Sequence, residues 1–197
     1  VIDKSPRAYS FAESSMPYTP LSGGTVSTAT GDDGTQTSIP IGFSFNYNGA
    51  SFTTFGISTN GTIQLGTTAT GFTNALATNA NVIAAMWDDD NRATGSISYL
   101  LSGSPGSQVL TIDWNNVAIG GSGSTSNPTN QFQIQLFEGT NVIKMAYGTL
   151  TSANGITASI GISGNVGQFV SVTPAATPTT SIVTENASIS SIANIPS

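Results

Sequence analysis

The chain has no cysteine and no histidine, and only four basic and ten acidic side chains in 197 residues. Each absence removes a class of chemistry. Without thiolate or imidazole there is no zinc finger, no haem or iron–sulfur ligation and no imidazole base. Lys4, Arg7, Arg92 and Lys144 are too few to form the cationic footprint that nucleic-acid binding needs. A formal net charge of −6 also opposes docking on an anionic membrane. No apolar run approaches the length of about eighteen residues that a spanning helix requires. Charged residues make up 7% of the chain, against about 25% in ordinary soluble proteins.

Ser, Thr, Asn and Gly take the place of charge and supply about half of the chain. Such a polar, uncharged surface is more typical of secreted bacterial proteins than of cytoplasmic ones. The first residue is Val1, which suits a mature chain whose signal peptide has been removed. The expected location is therefore extracellular or on the cell surface. The length suits one domain that buries roughly 70% of its unfolded surface, so no disulfide or metal staple is needed.

Helical periodicity is nearly absent, and apolar residues alternate with small polar ones, the pattern of half-buried strands. Ile41, Phe43, Phe45 and Tyr47 alternate up to Asn48-Gly49, a type I′ hairpin signal. Phe55 and Ile57 continue to a second Asn-Gly at Asn60-Gly61, after which Ile63 and Leu65 complete another hairpin. Val82 to Trp87 is continuously apolar, as expected of a strand covered on both faces. Alternation returns around Tyr99, Ile112, Ile134, Met145 and Ile160. Weaker strands are expected near Tyr9 to Phe11, Thr25 to Thr28 and Phe169 to Val172. The pattern predicts an all-β fold, an antiparallel β-sandwich or jelly roll of about eleven short strands. Residues 1–172 form the expected sandwich domain. From Thr173 the composition turns to Pro, Thr, Ser and Ala, so 173–197 reads as a linker or extended arm.

Several pieces in order resemble a nidogen-like extracellular domain. They are Phe55-Gly56-Ile57-Ser58-Thr59-Asn60-Gly61, the run from Val82 to Asp90, and Thr94 to Tyr99. Leu110 to Val117, Asn130 to Leu136 and Ile143 to Gly148 complete the series. The resemblance covers roughly residues 39–163, and Pro40-Ile41-Gly42-Phe43 is similar to the opening of related modules in Bacteroidetes-type surface proteins. Ala85 stands where animal members usually have Pro, and Met86 where they usually have an aromatic. The resemblance implies a β-rich extracellular module and no catalytic residue.

Five of the ten acidic residues lie in two short stretches, Asp32-Asp33 and Asp88-Asp89-Asp90. Adjacent carboxylates repel unless neutralised, and hard oxygen ligands on a loop are what calcium takes. Asp88, Asp90 and Asn91 are the candidate calcium ligands, with a solvated turn paired to Arg92 as the competing reading. Asp32-Asp33, between Gly31 and Gly34, reads as a tight turn or a second ligand pair. Asp113 and Glu138 are the candidates for a glycosidase-like carboxylate pair, which would have to stand about 5–10 Å apart. A serine nucleophile lacks both a histidine and a Gly-x-Ser-x-Gly elbow, and no glycine cluster precedes a Lys-Ser/Thr. Trp87 and Trp114 fall in phase with core positions rather than on a sugar platform. The sequons Asn60-Gly61-Thr62 and Asn186-Ala187-Ser188 read as a turn and a tail.

The leading expectation is a non-catalytic structural or adhesive module of a surface protein, or the subunit of a surface filament. Its partners would be copies of itself or other surface proteins. The apolar end segments, Val1-Ile2 and Ile182 to Ile195, would donate a strand to a neighbour's sheet. The alternative expectation is a calcium-assisted, lectin-like carbohydrate-binding module, with the Gly120 to Asn130 loop shaping a groove for glycans.

Overall fold

The computed structural model describes residues 9–15, 18–92, 95–119, 130–150, 158–171 and 187–193. In chain order the first strands are β1 (Tyr9–Ser15), β2 (Thr25–Val26), β3 (Gly31–Asp32), β4 (Thr35–Tyr47) and β5 (Ala50–Ser58). Next come β6 (Thr62–Leu65), β7 (Val82–Trp87), β8 (Asp90–Arg92), β9 (Ser96–Ser102) and β10 (Val109–Ile119). The series ends with β11 (Asn130–Phe137), β12 (Ile143–Tyr147), β13 (Ser159–Ser163), β14 (Phe169–Ser171) and β15 (Ala187–Ala193). They form two antiparallel sheets packed face to face, an all-β sandwich as expected. One sheet runs β1-β15-β12-β11-β10-β8-β3, with β9 also on β10 and β2 on β9; the other runs β14-β13-β7-β6-β5-β4.

Alternation places the core. Ile39, Ile41, Phe43, Phe45 and Tyr47 of β4 are buried while the residues between them are exposed. The β4–β5 hairpin closes through Asn48 and Gly49, whose φ angles of 49° and 79° are the two positive values a type I′ turn requires. In the opposite sheet Trp114 lies fully buried, stacked on Phe132 with ring centroids 5.2 Å apart. Burying one aromatic of this size is worth about 4–6 kcal/mol of transfer free energy. The buried hydroxyls of Tyr47 and Tyr147 donate to the carbonyls of Ser163 and Ala85, so neither phenol is left unpaired.

Strand β7 is buried at all six positions because it is covered twice. Ile83, Ala85 and Met86 join the inter-sheet core. Val82, Ala84 and Trp87 pack with Leu76 and Phe169 in a second cluster. Two consecutive residues share the core side because the N–H groups of Ala85 and Met86 both donate to the Gly61 carbonyl, which makes a bulge.

The segments read as strands from the sequence are strands, and three short or terminal ones are added: β3, β8 and β15. The last of these falls within residues 173–197, the stretch read as a linker or extended arm. Ala187–Ala193 is a strand inserted between β1 and β12. Its physical basis is local. Pro174 and Pro178 lie well upstream, and Ala-Ser-Ile-Ser-Ser-Ile-Ala contains no residue that would block a ladder on either side. Residues 173–186, the Gly120 loop through residue 129, and Val1-Ile2 lie outside the described residues.

Candidate functional site

The acidic stretches meet at one end of the sandwich. Strand β3 pairs with β8 (Gly31 opposite Arg92, Asp32 opposite Asn91), and β8 pairs with the end of β10. Asp33 takes a positive φ of 46°, which its short polar side chain tolerates and which bends the chain sharply into Gly34. A Cβ at Gly34 would stand 2.2 Å from the Thr30 carbonyl oxygen, so only glycine closes this turn.

The turn between β5 and β6 lies beneath it. Ser58, Thr59, Asn60, Gly61 and Thr62 are all buried, which is unusual for a turn. Its backbone groups are instead paired inside the protein. The Thr59 N–H donates to Gly34 O at 2.8 Å, and Trp114 Nε1 donates to Ser58 O at 3.2 Å. The Asn60 side-chain amide donates to Asp33 Oδ1 at 2.9 Å. Since Asn60 has no exposed surface, its sequon is closed to glycosylation once the chain has folded. Asn186 of the other sequon lies outside the described residues.

Carboxylate oxygens of Asp32, Asp33 and Asp89 lie within 4.8 Å of one another. Two ligands on opposite sides of a calcium ion, at about 2.4 Å each, would be about that far apart, so one hard cation fits between them. Asp32 Oδ1 is buried and has no hydrogen-bond partner. Burial, and then the negative charges of Asp32, Asp33 and Asp88, raise the Asp89 carboxyl above the usual carboxylate range. This oxygen-only donor set suits calcium or magnesium and offers nothing to softer metals.

Of the expected ligands Asp88, Asp90 and Asn91, only the Asp88 side chain is among the described residues. Asp88 Oδ1 accepts the Asp89 N–H, so that carboxylate turns back on its own chain. Asp90 and Asn91 are strand residues of β8, and their side chains lie outside the described residues. Asp89, which the alternating reading passed over, is the member that joins Asp32 and Asp33. The two-residue strand β3 is too short to show periodicity, so only the run of carboxylates was visible in the sequence.

Asp113 and Glu138 do not form a facing pair. Asp113 stands opposite Gln133, and Glu138 lies five positions further along that chain, roughly 16 Å at about 3.3 Å per residue. Glu138 Oε2 accepts the N–H groups of Gly106 and Gln108 and holds the loop before β10. Asp113 is buried and accepts hydrogen bonds from Tyr18 Oη at 2.6 Å and Leu21 N at 2.9 Å. Both tryptophans are inside, as their phase predicted, and Trp87 Nε1 donates to Gly71 O at 2.9 Å.

A family model described as NIDO related matches residues 8–196. No curated protein and no solved structure matches. The match extends past the span of the resemblance at both ends and takes in β1 and β15.

Proposed function

The chain belongs to the NIDO-related family, which suggests an extracellular module, and on that premise we propose that it is a non-catalytic structural or adhesive domain. It serves as a unit of a surface protein or as the subunit of a surface filament, and its partners are further copies of itself or neighbouring surface proteins. The observation that carries the filament reading is the position of β15. Seven residues near the C-terminus occupy a slot with a strand on each side, β1 along all seven and β12 along four. The same segment from a second copy would find the same backbone partners, which is the chemistry of strand donation. Low charge supports the reading, because lysines on edge strands are a common defence against such pairing.

Light scattering and negative-stain electron microscopy over a range of concentrations test the proposal. Linked particles that a deletion of residues 187–193 abolishes are the expected result. A protein that stays monomeric at every concentration overturns the filament reading.

A second reading is favoured by the unpartnered Asp32 Oδ1: a calcium ion held by Asp32, Asp33 and Asp89 clamps the acidic turn to the end of β7. The cation would act on rigidity at this end of the sandwich. A glycan site beside it finds no stacking platform in Trp87 or Trp114, which are both buried.

A further inference from the structure

The chain enters and leaves the larger sheet side by side. Strands β1 and β15 are antiparallel neighbours, in register from Tyr9 opposite Ala193 to Ser15 opposite Ala187. Among the described residues β1 has no other strand beside it. Tension on the chain before Tyr9 and after Ala193 therefore draws those two residues apart across the ladder. Antiparallel hydrogen bonds run perpendicular to the strands, so a pull in this direction opens them one after another. Each contributes little alone, and a ladder opened in succession yields at low force.

One side chain guards the first rung. Tyr9 is buried, its ring 5.0 Å from that of Tyr47, and its hydroxyl donates to Asn46 O at 3.4 Å. Asn46 lies on β4 of the opposite sheet, and its own N–H donates to Asn141 Oδ1 at 2.8 Å. The Tyr9 ring must leave this corner before β1 can peel.

Past Ser15 the next described anchorage is Tyr18. Its ring packs on Gly148, one residue beyond β12, where an added Cβ would stand 2.7 Å from it. Its hydroxyl and the Leu21 N–H donate to separate carboxylate oxygens of Asp113, and Thr19 O accepts Gln133 Nε2. This anchorage stands at the far end of β15 from Ala193: Ser191 pairs with Ile143 and Ser188 with Ala146, so Gly148 lies beyond the Ala187 end. Once β1 has peeled, the load runs from Tyr18 to Ala193, along β15 rather than across it. The bonds between β15 and β12 then share the load and resist together.

We propose that the domain answers tension in two stages: β1 unzips from β15 until the load reaches Tyr18, and β15, pulled lengthwise against β12, then holds. The inference goes beyond the filament reading and does not rest on it, because a single copy shows both stages. Residues 9–17 extended span about 30 Å, and residues 18–193 about 600 Å.

Optical-tweezer extension of the full chain, with handles at its two ends, tests the proposal. The expected record is an early, reversible lengthening of about 30 Å at low force, followed by one larger event at higher force. Tyr9→Ala should lower the first force and leave the second unchanged. Asp113→Ala releases Tyr18 and Leu21, so the first lengthening should grow to about 50 Å as slack runs on to β2. Lys144→Cys with Ser190→Cys places a disulfide between directly opposed residues of a chain that has no cysteine of its own. Oxidised, this pair should raise the second force and spare the first. Extension in one event without the early lengthening overturns the proposal, as does an early lengthening that Asp113→Ala leaves unchanged or a second force indifferent to the disulfide.

Discussion

Asn60 reaches across 27 residues of sequence to donate its amide to Asp33, joining a buried turn to an acidic one. The contact is asymmetric: Asn60 has no exposed surface, whereas Asp33 is exposed. Replacing Asn60 by Asp would set a buried carboxylate against a group that is already negative. Removing one side of a buried polar pair costs about 1–3 kcal/mol, and an uncompensated buried charge costs about 3–5 kcal/mol. Asn60→Ala should therefore destabilise the fold, and Asn60→Asp should destabilise it more at pH 7 than at pH 4. Urea denaturation at the two pH values checks both, and equal losses for the two variants at pH 7 would remove the electrostatic argument.

Asp89 provides a pH test of the same cluster. Its raised carboxyl binds a proton more tightly in the folded chain than in the unfolded one. The stability linked to this group is thus fully present at low pH and is lost as pH rises through the folded value. In metal-free buffer, Asp89→Asn should raise Tm at pH 7 and leave it unchanged near pH 3. A lower Tm at pH 7 would show that the ionised side chain is held favourably, against the repulsion argued from Asp32, Asp33 and Asp88.

A cation reverses that sign, since an ion among three carboxylates makes the ionised form of Asp89 the favoured one. Calcium at about one hundred times its dissociation constant adds about 2.7 kcal/mol, which in a chain of this length is a rise in Tm of about 5–10 °C. The expected result is a calcium-dependent rise that a chelator reverses and that Asp89→Asn abolishes. A native Tm indifferent to millimolar calcium and magnesium sinks the cation reading and leaves the family assignment untouched.

The sequence made the sheets legible and the acidic site only half so. Alternation in β4, β10 and β11 placed Phe45, Trp114 and Phe132 inside because each long strand repeats its signal several times. The Asn48-Gly49 turn was equally readable, as its residues carry the backbone preference themselves. Strands β3 and β8 hold two and three residues, too few for any period, yet their pairing brings Asp32 and Asp33 to Asp89. The burial of Asp113 was hidden for a different reason. A lone carboxylate at an outward position reads as solvated, and only the path of residues 18–24 buries it. Strand β15 lies within the Ile182 to Ile195 segment read as a strand for donation, and what composition did not reveal is its pairing with β1 and β12 of its own chain.

Trp114 separates packing from hydrogen bonding. Trp114→Phe keeps a ring against Phe132 but leaves the carbonyl of Ser58 without its indole donor, for an expected loss of about 1–3 kcal/mol. Trp114→Ala empties the site as well, and its loss should reach about 3–5 kcal/mol. Trp87 belongs to the smaller cluster and donates to Gly71, so Trp87→Phe should loosen residues 66–81 more than the sheets. Chemical denaturation gives the first two values, and residue-resolved hydrogen exchange reads the third. Uniform loss of protection across the chain in Trp87→Phe would contradict the separate cluster.

A proline in β15 distinguishes an integral strand from an appended arm. Ser190 pairs with Ala12 of β1 on one side and Lys144 of β12 on the other. Proline there removes an N–H from a strand bonded along both edges and adds a ring where the ladder has no room. Because β15 is the paired neighbour of β1, the substitution should also cost β1 its attachment. Ser190→Pro should lower global stability and strip exchange protection from β1 and β12 together, with each lost ladder bond worth on the order of 1 kcal/mol. The control is Thr177→Pro, in the proline-rich stretch upstream, which should leave both unchanged. If Ser190→Pro matched that control in stability and in β1 protection, the terminal segment would be an arm, and the strand-donation reading would lose its slot.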